Sequence, residues 1–194
     1  DPIEVRRRNI LSEGDPWFLG QEVRSSGLKT CIDAVEDACE WKKNSGSVNS
    51  GGGRRKAFGM AIAAHISGLL STGAIVRLLE DGCVVLNTGA VDIGQGSDTV
   101  LAQICAETLK MPLDQITVAS PDTDGSPYNW GTTASRVTYT TGRAVNEAAE
   151  KVANKIKQHA AEIFDCNIEK VELREGGQVG IVGSTETLPF AAIS

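Results

Sequence analysis

Two short stretches of this chain combine small residues, hydroxyls and an amide at places where a loop must run into a helix. One is Val91-Asp92-Ile93-Gly94-Gln95-Gly96-Ser97-Asp98-Thr99, and the other, further along, is Gly131-Thr132-Thr133-Ala134-Ser135-Arg136. Such stretches support anion binding. The first N–H groups of a helix have no intrahelical acceptor, and the helix dipole adds a positive potential there, so phosphate is favoured. In the first stretch one glycine permits a tight turn, the other lets a ligand approach bare backbone, and Ser97 is placed to cap the helix. Gln95 adds a side chain that both donates and accepts. In the second, Thr132, Thr133 and Ser135 supply hydroxyls ahead of a long helix, and Arg136 brings a planar cationic fork suited to phosphate or carboxylate. A plain capped helix start accounts for the same residue types at both places, although it does not call for a glutamine between two glycines.

Other chemistries find less support. Asp98-Thr99 stands where a dinucleotide fingerprint needs its third glycine, and the preceding strand comes from a hairpin. The Gly/Ser-rich stretch 44–53, followed by Arg54-Arg55-Lys56, lacks the Gly-Lys-Ser/Thr ending of a phosphate loop and reads as a solvated linker. Asp122-Thr123-Asp124 offers two carboxylates without further ligands, which fits a turn better than a divalent-metal site. His65 falls in an apolar, alternating stretch and His159 on a long helical pattern, neither at metal spacing from a partner. No Ser/His/Asp set and no spaced pair of glutamates stands out. The chain thus offers a binding site without an evident general base.

Composition narrows the classes further. With 194 residues and 41% apolar content the chain can bury a core, whereas a net charge of −6 and 5% aromatic residues speak against a nucleic-acid surface. A phosphate ligand would have to be met by local N–H groups. No stretch approaches ~18 uncharged apolar residues and no signal-peptide core follows the N-terminus, so no membrane span and a cytoplasmic location are expected. Cys31, Cys39, Cys83, Cys105 and Cys166 are odd in number and show no CxxC spacing. They read as small hydrophobes rather than as a zinc or iron–sulfur set, so any redox cofactor must be held by other means.

The elements that must position the two stretches follow from patterning, and they give an α+β fold with hairpin-connected antiparallel sheets and packed helices. Asp1 before Pro2, with Glu4 in the first turn, starts a short helix that Gly14-Asp15-Pro16 ends, and Leu28, Ile32, Val35 and Cys39 predict a second helix to about Lys43. A boundary after residue 53 separates an N-terminal helical segment, 1–53, from an α+β portion, 54–194. Phe58, Met60, Ile62, Ala64 and Ile66 alternate as a strand does, and Ala74–Leu79 with Cys83–Leu86 form a hairpin about Glu80-Asp81-Gly82. The spacing of Leu101, Ile104, Cys105 and Thr108 predicts a helix ending before Pro112, then a strand at Ile116–Ala119 and a loop at Asp122–Gly131. Val145 through Ile163 mark a long helix, followed by a hairpin around Glu175-Gly176-Gly177.

Taken in order, Asp1-Pro2-Ile3-Glu4-Val5-Arg6-Arg7-Arg8-Asn9, Glu13-Gly14-Asp15, Ile93-Gly94-Gln95-Gly96-Ser97-Asp98-Thr99, Asp122-Thr123-Asp124, Gly131-Thr132-Thr133-Ala134-Ser135-Arg136 and Gly142-Arg143-Ala144-Val145 resemble the molybdenum-binding subunit of the xanthine dehydrogenase/aldehyde oxidase family, its bacterial members above all. The resemblance runs from Asp1 to about Ile156. It implies that the two loops hold molybdopterin and its phosphates, in bacteria usually as molybdopterin cytosine dinucleotide. Carried over by position, Ile93, Gly94 and Gln95 would touch the pterin and metal ligands within the Ile93–Gly96 loop, while Thr132, Thr133, Ala134, Ser135 and Arg136 would line the pyrophosphate or nucleotide.

The same resemblance implies hydroxylation of an electron-poor carbon in an aldehyde, N-heterocycle or related small molecule. Electrons would leave through iron–sulfur centres and FAD on partner domains or subunits. The family's catalytic Gly-Glu motif lies downstream of the Thr/Ala/Ser loop and its Phe-Gly segment upstream of Asp-Pro-x-Glu. Neither is found here, so the chain reads as an internal portion of the molybdenum-binding subunit, inactive by itself. Asp92 stands where many bacterial members have Glu, and Trp130 is an unusual neighbour of Gly131. The rival from another class is a non-catalytic phosphate- or nucleotide-binding module.

Overall fold

Asp1 caps the first helix as its position before proline predicts. Its Oδ1 accepts the Ile3 N–H at 2.7 Å, and helix α1 spans Pro2–Asn9 with Glu4 in its first turn and Arg6, Arg7 and Arg8 in its last, both favourable to the helix dipole. The computed structural model describes residues 1–45, 48–49, 52–68 and 70–193. They fall into two units, Asp1–Ala64 and His65–Ser194.

In the first unit α1 packs on α2, Leu28–Ala38, through a small core of Ile3, Ile32 and Trp41. Arg7 ties the pair from outside, reaching Asp33 Oδ1 at 2.6 Å and Glu36 Oε2. The single helix expected to about Lys43 is broken. Glu40 takes a left-handed φ of +47°, and a short α3, Trp41–Asn44, restarts in a new direction. The break turns Trp41 into the core, where its indole donates to Asp1 Oδ1 at 3.3 Å, while Val35 stays half-exposed. Strands β1, Val48–Asn49, and β2, Arg55–Lys56, pair antiparallel, and residues 46, 47, 50 and 51 of the Gly/Ser-rich stretch lie outside the described residues.

The strand expected from Phe58 to Ile66 is absent from the described residues. A strand needs a neighbour for its backbone groups. None pairs here, and Phe58 and Ile62 remain exposed.

The second unit holds the main core. Strands β3, Ala74–Leu78, and β4, Val84–Thr88, form the expected hairpin, closed by the Gly82 N–H on the Leu79 carbonyl with Gly82 at φ +83°. From β4 the chain passes through the first loop into α4, Ser97–Leu109, and returns as β5, Ile116–Val118. Here the antiparallel expectation needs correction: β5 runs parallel to β4, with Val84 opposite Ile116, so a helical crossover stands inside a mixed sheet ordered β3-β4-β5. A helix that covers the sheet face can join parallel neighbours as readily as a turn joins antiparallel ones.

A π-helical turn at Val137–Thr141 leads into α5, Gly142–Ile163. Val145, Ala149, Ala153, Ile156 and Ala160 recur on one buried face of α5. They pack with Leu101, Cys105 and Leu109 of α4 and with Val84 and Leu86 of β4. Burying each such leucine contributes roughly 2 kcal/mol. Gly142 lets the two helices approach, because a Cβ there would sit 2.7 Å from Ile104 Cδ1. The C-terminal strands β6, Val171–Arg174, β7, Gln178–Ile181, and β8, Thr187–Pro189, make an antiparallel sheet. The first two are the predicted hairpin, and β8 was not foreseen. No helix of the described residues is long and apolar enough to cross a membrane.

Candidate functional site

The first loop leaves the end of β4, where Thr88 Oγ1 accepts the Ala90 N–H at 3.2 Å, and reaches α4 through two left-handed glycines, Gly94 at φ +100° and Gly96 at φ +78°. Neither glycine has an atom within 4 Å of where a Cβ would be, so the bare backbone faces open space. Gly96, not Ser97, is the N-cap residue. The capping acceptor is the side chain of Asp92. Asp92 Oδ1 accepts the Gly94 N–H at 2.7 Å and Oδ2 the Asp98 N–H at 3.3 Å. These N–H groups hold the Asp92 carboxyl below the usual carboxylate range. Asp98 is pushed the other way, by burial first and by the Asp92 charge second.

Gln95 braces the same loop. Its Oε1 accepts the Ile93 N–H at 2.7 Å, while Nε2 donates to Ser97 Oγ at 2.9 Å and to the Val91 carbonyl at 3.4 Å. Ser97 is buried and serves as this acceptor, while Ile93 stands 71% exposed above the loop.

The second loop is built around Asn129 and Arg136. Asn129 Oδ1 accepts the Gly131 N–H at 2.7 Å and the Arg136 guanidinium at 3.1 Å, and its Nδ2 donates to Thr72 Oγ1 at 2.7 Å and Thr141 Oγ1 at 3.2 Å. The fork that the sequence offered to an anion points inward. Arg136 is fully buried, and its terminal nitrogens also donate to the carbonyls of Gly131, Leu70 and Ser71, each at 3.0 Å, with the Trp130 ring 5.9 Å away. Gly131 has φ +137°, and Ala134 and Ser135, both with side chains, sit at φ +50°. Two consecutive non-glycine residues in this region are costly unless their surroundings impose them. The Gly68 N–H helps to impose them, bonding the Ala134 carbonyl at 3.1 Å. Among the described residues the N–H groups of Thr133, Ala134 and Ser135 have no acceptor.

The structure brings the two loops together. Thr132 Oγ1 accepts the Val91 N–H at 3.0 Å and donates to the Val91 carbonyl at 2.7 Å. Exposed Tyr128 and Trp130 belong to the same second loop, and exposed Val91 and Ile93 to the first. Two surface hollows of about 380 and 440 Å³ both involve Lys110, at the opposite end of α4, and have no part in this site.

The remaining candidates stay structural. Asp122 Oδ1 accepts the N–H groups of Asp124 at 2.8 Å and Gly125 at 2.6 Å, the turn expected of it. No group of three or more His, Cys, Asp or Glu side chains able to hold a metal occurs among the described residues. His65 is exposed rather than set in a strand, and His159 lies 3.5 Å from Glu162 on α5. The residues that sequence reasoning missed are Asp92 as the cap and Asn129 as the hub. An Asp or Asn two residues before a glycine is the local signal for both.

The chain has relatives among known proteins. A family profile described as a molybdopterin cofactor-binding domain matches residues 33–193. Over 184 residues the chain is 35% identical to the putative xanthine dehydrogenase molybdenum-binding subunit of Escherichia coli K12, covering 91% of this chain and 24% of that protein. With the nicotine 6-hydroxylase large subunit of Paenarthrobacter nicotinovorans it shares 29% identity over 203 residues, 96% of this chain and 25% of that one. The crystal structure of quinoline 2-oxidoreductase from Pseudomonas putida 86 superposes with a TM-score of 0.60 at 23% identity, across all of this chain and 27% of that one. The chain spans about a quarter of the length of the relatives it matches.

Proposed function

This chain belongs to the molybdopterin cofactor-binding domain family, and on that premise we propose that it is the cofactor-holding portion of a molybdenum hydroxylase acting on an electron-poor carbon of an aldehyde, N-heterocycle or related small molecule. The observation that carries the proposal is the pair of joined loops. Thr132 locks them to each other, and the N–H groups of Thr133, Ala134 and Ser135, which bond no other described residue, lie next to it in the chain.

The residues fit an anionic, pterin-bearing group. Open glycine backbone at Gly94, Gly96 and Gly131 leaves room for close approach, and the N–H groups of Thr133, Ala134 and Ser135 have no acceptor among the described residues. In this reading Thr133, Ala134 and Ser135 receive the phosphates, as a pyrophosphate of molybdopterin cytosine dinucleotide, and the backbone of Ile93 and Gly94 meets the pterin. Gln95 exchanges its long bond to the Val91 carbonyl for a cofactor acceptor. Thr132 and Arg136 hold the loops rather than touch the ligand. When bound, the molybdenum centre supplies oxygen-atom insertion coupled to two-electron oxidation. No residue described here is placed as its base, so turnover requires other parts of the subunit. The electrons pass to iron–sulfur and FAD-bearing partner subunits, and the assembly is cytoplasmic. Relatives described as a molybdenum-binding subunit and as a large subunit favour such a multi-subunit enzyme.

The experiment is to measure molybdenum per chain and acid-released cytidine nucleotide on the full-length protein purified from its own cells. Near-stoichiometric amounts of both are expected. Well-folded protein with neither would leave a plain phosphate-binding module as the better reading.

A further inference from the structure

The anion site that sequence patterning places at the start of α4 already holds an anion, the chain's own. We infer that Asp92 is a positioning residue for the cofactor site: its carboxylate is the resident anion of the α4 N-terminus and fixes the Ile93–Gly96 loop in the form that meets the cofactor. The inference rests on the proposed function above.

Three observations carry it. Asp92 uses both oxygens, Oδ1 on the Gly94 N–H at 2.7 Å and Oδ2 on the Asp98 N–H at 3.3 Å, so one side chain spans the whole turn from the loop into the helix. The turn runs through left-handed Gly94 and Gly96, conformations that a free loop would leave readily and that these two bonds hold in place. The Gln95 amide completes the brace from the other side, on Ile93 N–H and Ser97 Oγ. Asp92 and Gln95 thereby bond the N–H groups of Ile93, Gly94 and Asp98 and the Val91 carbonyl between them, and Gly94 is left facing open space.

A consequence separates this site from a generic phosphate cradle. A phosphate at α4 would meet a carboxylate already seated there, and like charges at hydrogen-bond range repel. The anionic end of the cofactor is therefore directed to the second loop, whose N–H groups at Thr133, Ala134 and Ser135 have no acceptor among the described residues. The two loops, alike in sequence chemistry, have different tasks: one presents backbone to the pterin, and the other takes the charge.

The test uses the full-length enzyme as wild type, Asp92→Ala and Asp92→Asn, with backbone amide exchange across residues 93–99, molybdenum and pterin per chain, and the Mo(V) paramagnetic resonance signal. In Asp92→Ala the amides of Gly94 and Asp98 exchange about tenfold faster and cofactor retention falls about tenfold, the usual scale for a supporting group one step from a ligand. Asp92→Asn keeps an acceptor for Gly94 but not for Asp98, so only the Asp98 amide is exposed and the cofactor loss is smaller. Inorganic phosphate restores Asp98 protection in Asp92→Ala and changes nothing there in the wild type, as expected of a vacated anion position.

Wild-type exchange in Asp92→Ala, undiminished cofactor with an unaltered signal, or no rescue by phosphate overturns the inference. Should Asp92→Ala not accumulate, the Asp92→Asn pattern decides alone, and equal protection of both amides overturns it. Absence of molybdenum from the wild type would instead remove the proposed function, leaving amide exchange and phosphate rescue to judge the hold of Asp92 on the loop.

Discussion

A single hydroxyl, that of Thr132, takes the N–H of Val91 at 3.0 Å and gives its own hydrogen to the Val91 carbonyl at 2.7 Å, so two loops 41 residues apart in sequence are fastened at one point. Thr132→Val keeps the shape and removes both bonds, leaving two backbone groups of Val91 to water. The expected cost is about 1–2 kcal/mol of stability, with a larger loss of cofactor because the loops no longer hold one spacing. Thr132→Ser, which keeps the hydroxyl, should restore most of both. Denaturant unfolding and molybdenum content of the full-length variants check this, and equal behaviour of Val and Ser variants would contradict the role given to the hydroxyl.

Arg136 sets the second loop from beneath. Its guanidinium bonds Asn129, Gly131, Leu70 and Ser71 and is wholly buried, so Arg136→Met should leave several partly buried acceptors without their donor and cost about 3 kcal/mol. Arg136→Lys should recover little, because one ammonium cannot match a planar fork. Yield of folded protein and its denaturant midpoint give the answer. An Arg136→Met protein of native stability that fails only to bind phosphate would return the fork to the ligand.

Gln95 makes the opposite case. It is exposed, and its bonds lie within its own loop, so Gln95→Ala should change stability by less than about 1 kcal/mol while weakening cofactor retention or activity in the full enzyme. A large stability loss with activity retained would contradict this.

These roles show what residue types can and cannot tell. The hydroxyls, glycines and amide were legible as parts of two loops that lead into helices because their chemistry is local, and those helices followed from the apolar spacing of Leu101 to Thr108 and of Val145 to Ile163. Direction was not legible. Arg136 and an anion-binding arginine have the same letter, and only the carbonyls of Leu70 and Ser71 and the amide oxygen of Asn129, brought around it by the fold, turn the fork inward. Likewise, Asp92 is read from sequence as a departure from Glu, whereas its Asx turn onto Gly94 depends on a φ of +100° that no composition displays. The alternation from Phe58 to Ile66 has the period of a strand and lacks a partner among the described residues, since pairing is a property of two segments. The parallel return of β5 was missed for the same reason: a short strand carries no mark of the direction of its neighbour.

Cys105 tests the core directly. It lies between α4 and α5 with no exposed surface, and burial pushes its thiol up to about 12. Because the thiolate is the reactive form, iodoacetamide at neutral pH should leave Cys105 unmodified in the folded protein and label it on unfolding. Peptide mapping after native and denatured alkylation distinguishes the two. Ready native labelling would mean that the α4–α5 packing opens on the labelling timescale.

Acid should act on the first unit through Asp33. The Lys29 ammonium, 2.8 Å from its Oδ2, and then the Arg7 guanidinium hold its carboxyl below the ordinary value of 3.8. A carboxylate depressed in the folded state contributes stability that is complete above its unfolded value and is lost as pH falls through the folded one. The α1–α2 contact should therefore hold from neutral pH to about pH 4 and weaken below it, as Arg7 loses the partner that joins the two helices. Amide exchange across Leu28–Ala38, followed from pH 6 to about pH 3, should show this loss, and Asp33→Asn should start weaker and change less over the same range. An identical acid response in wild type and Asp33→Asn would place the titrating group elsewhere, with Glu36, the other carboxylate on Arg7, next to be replaced.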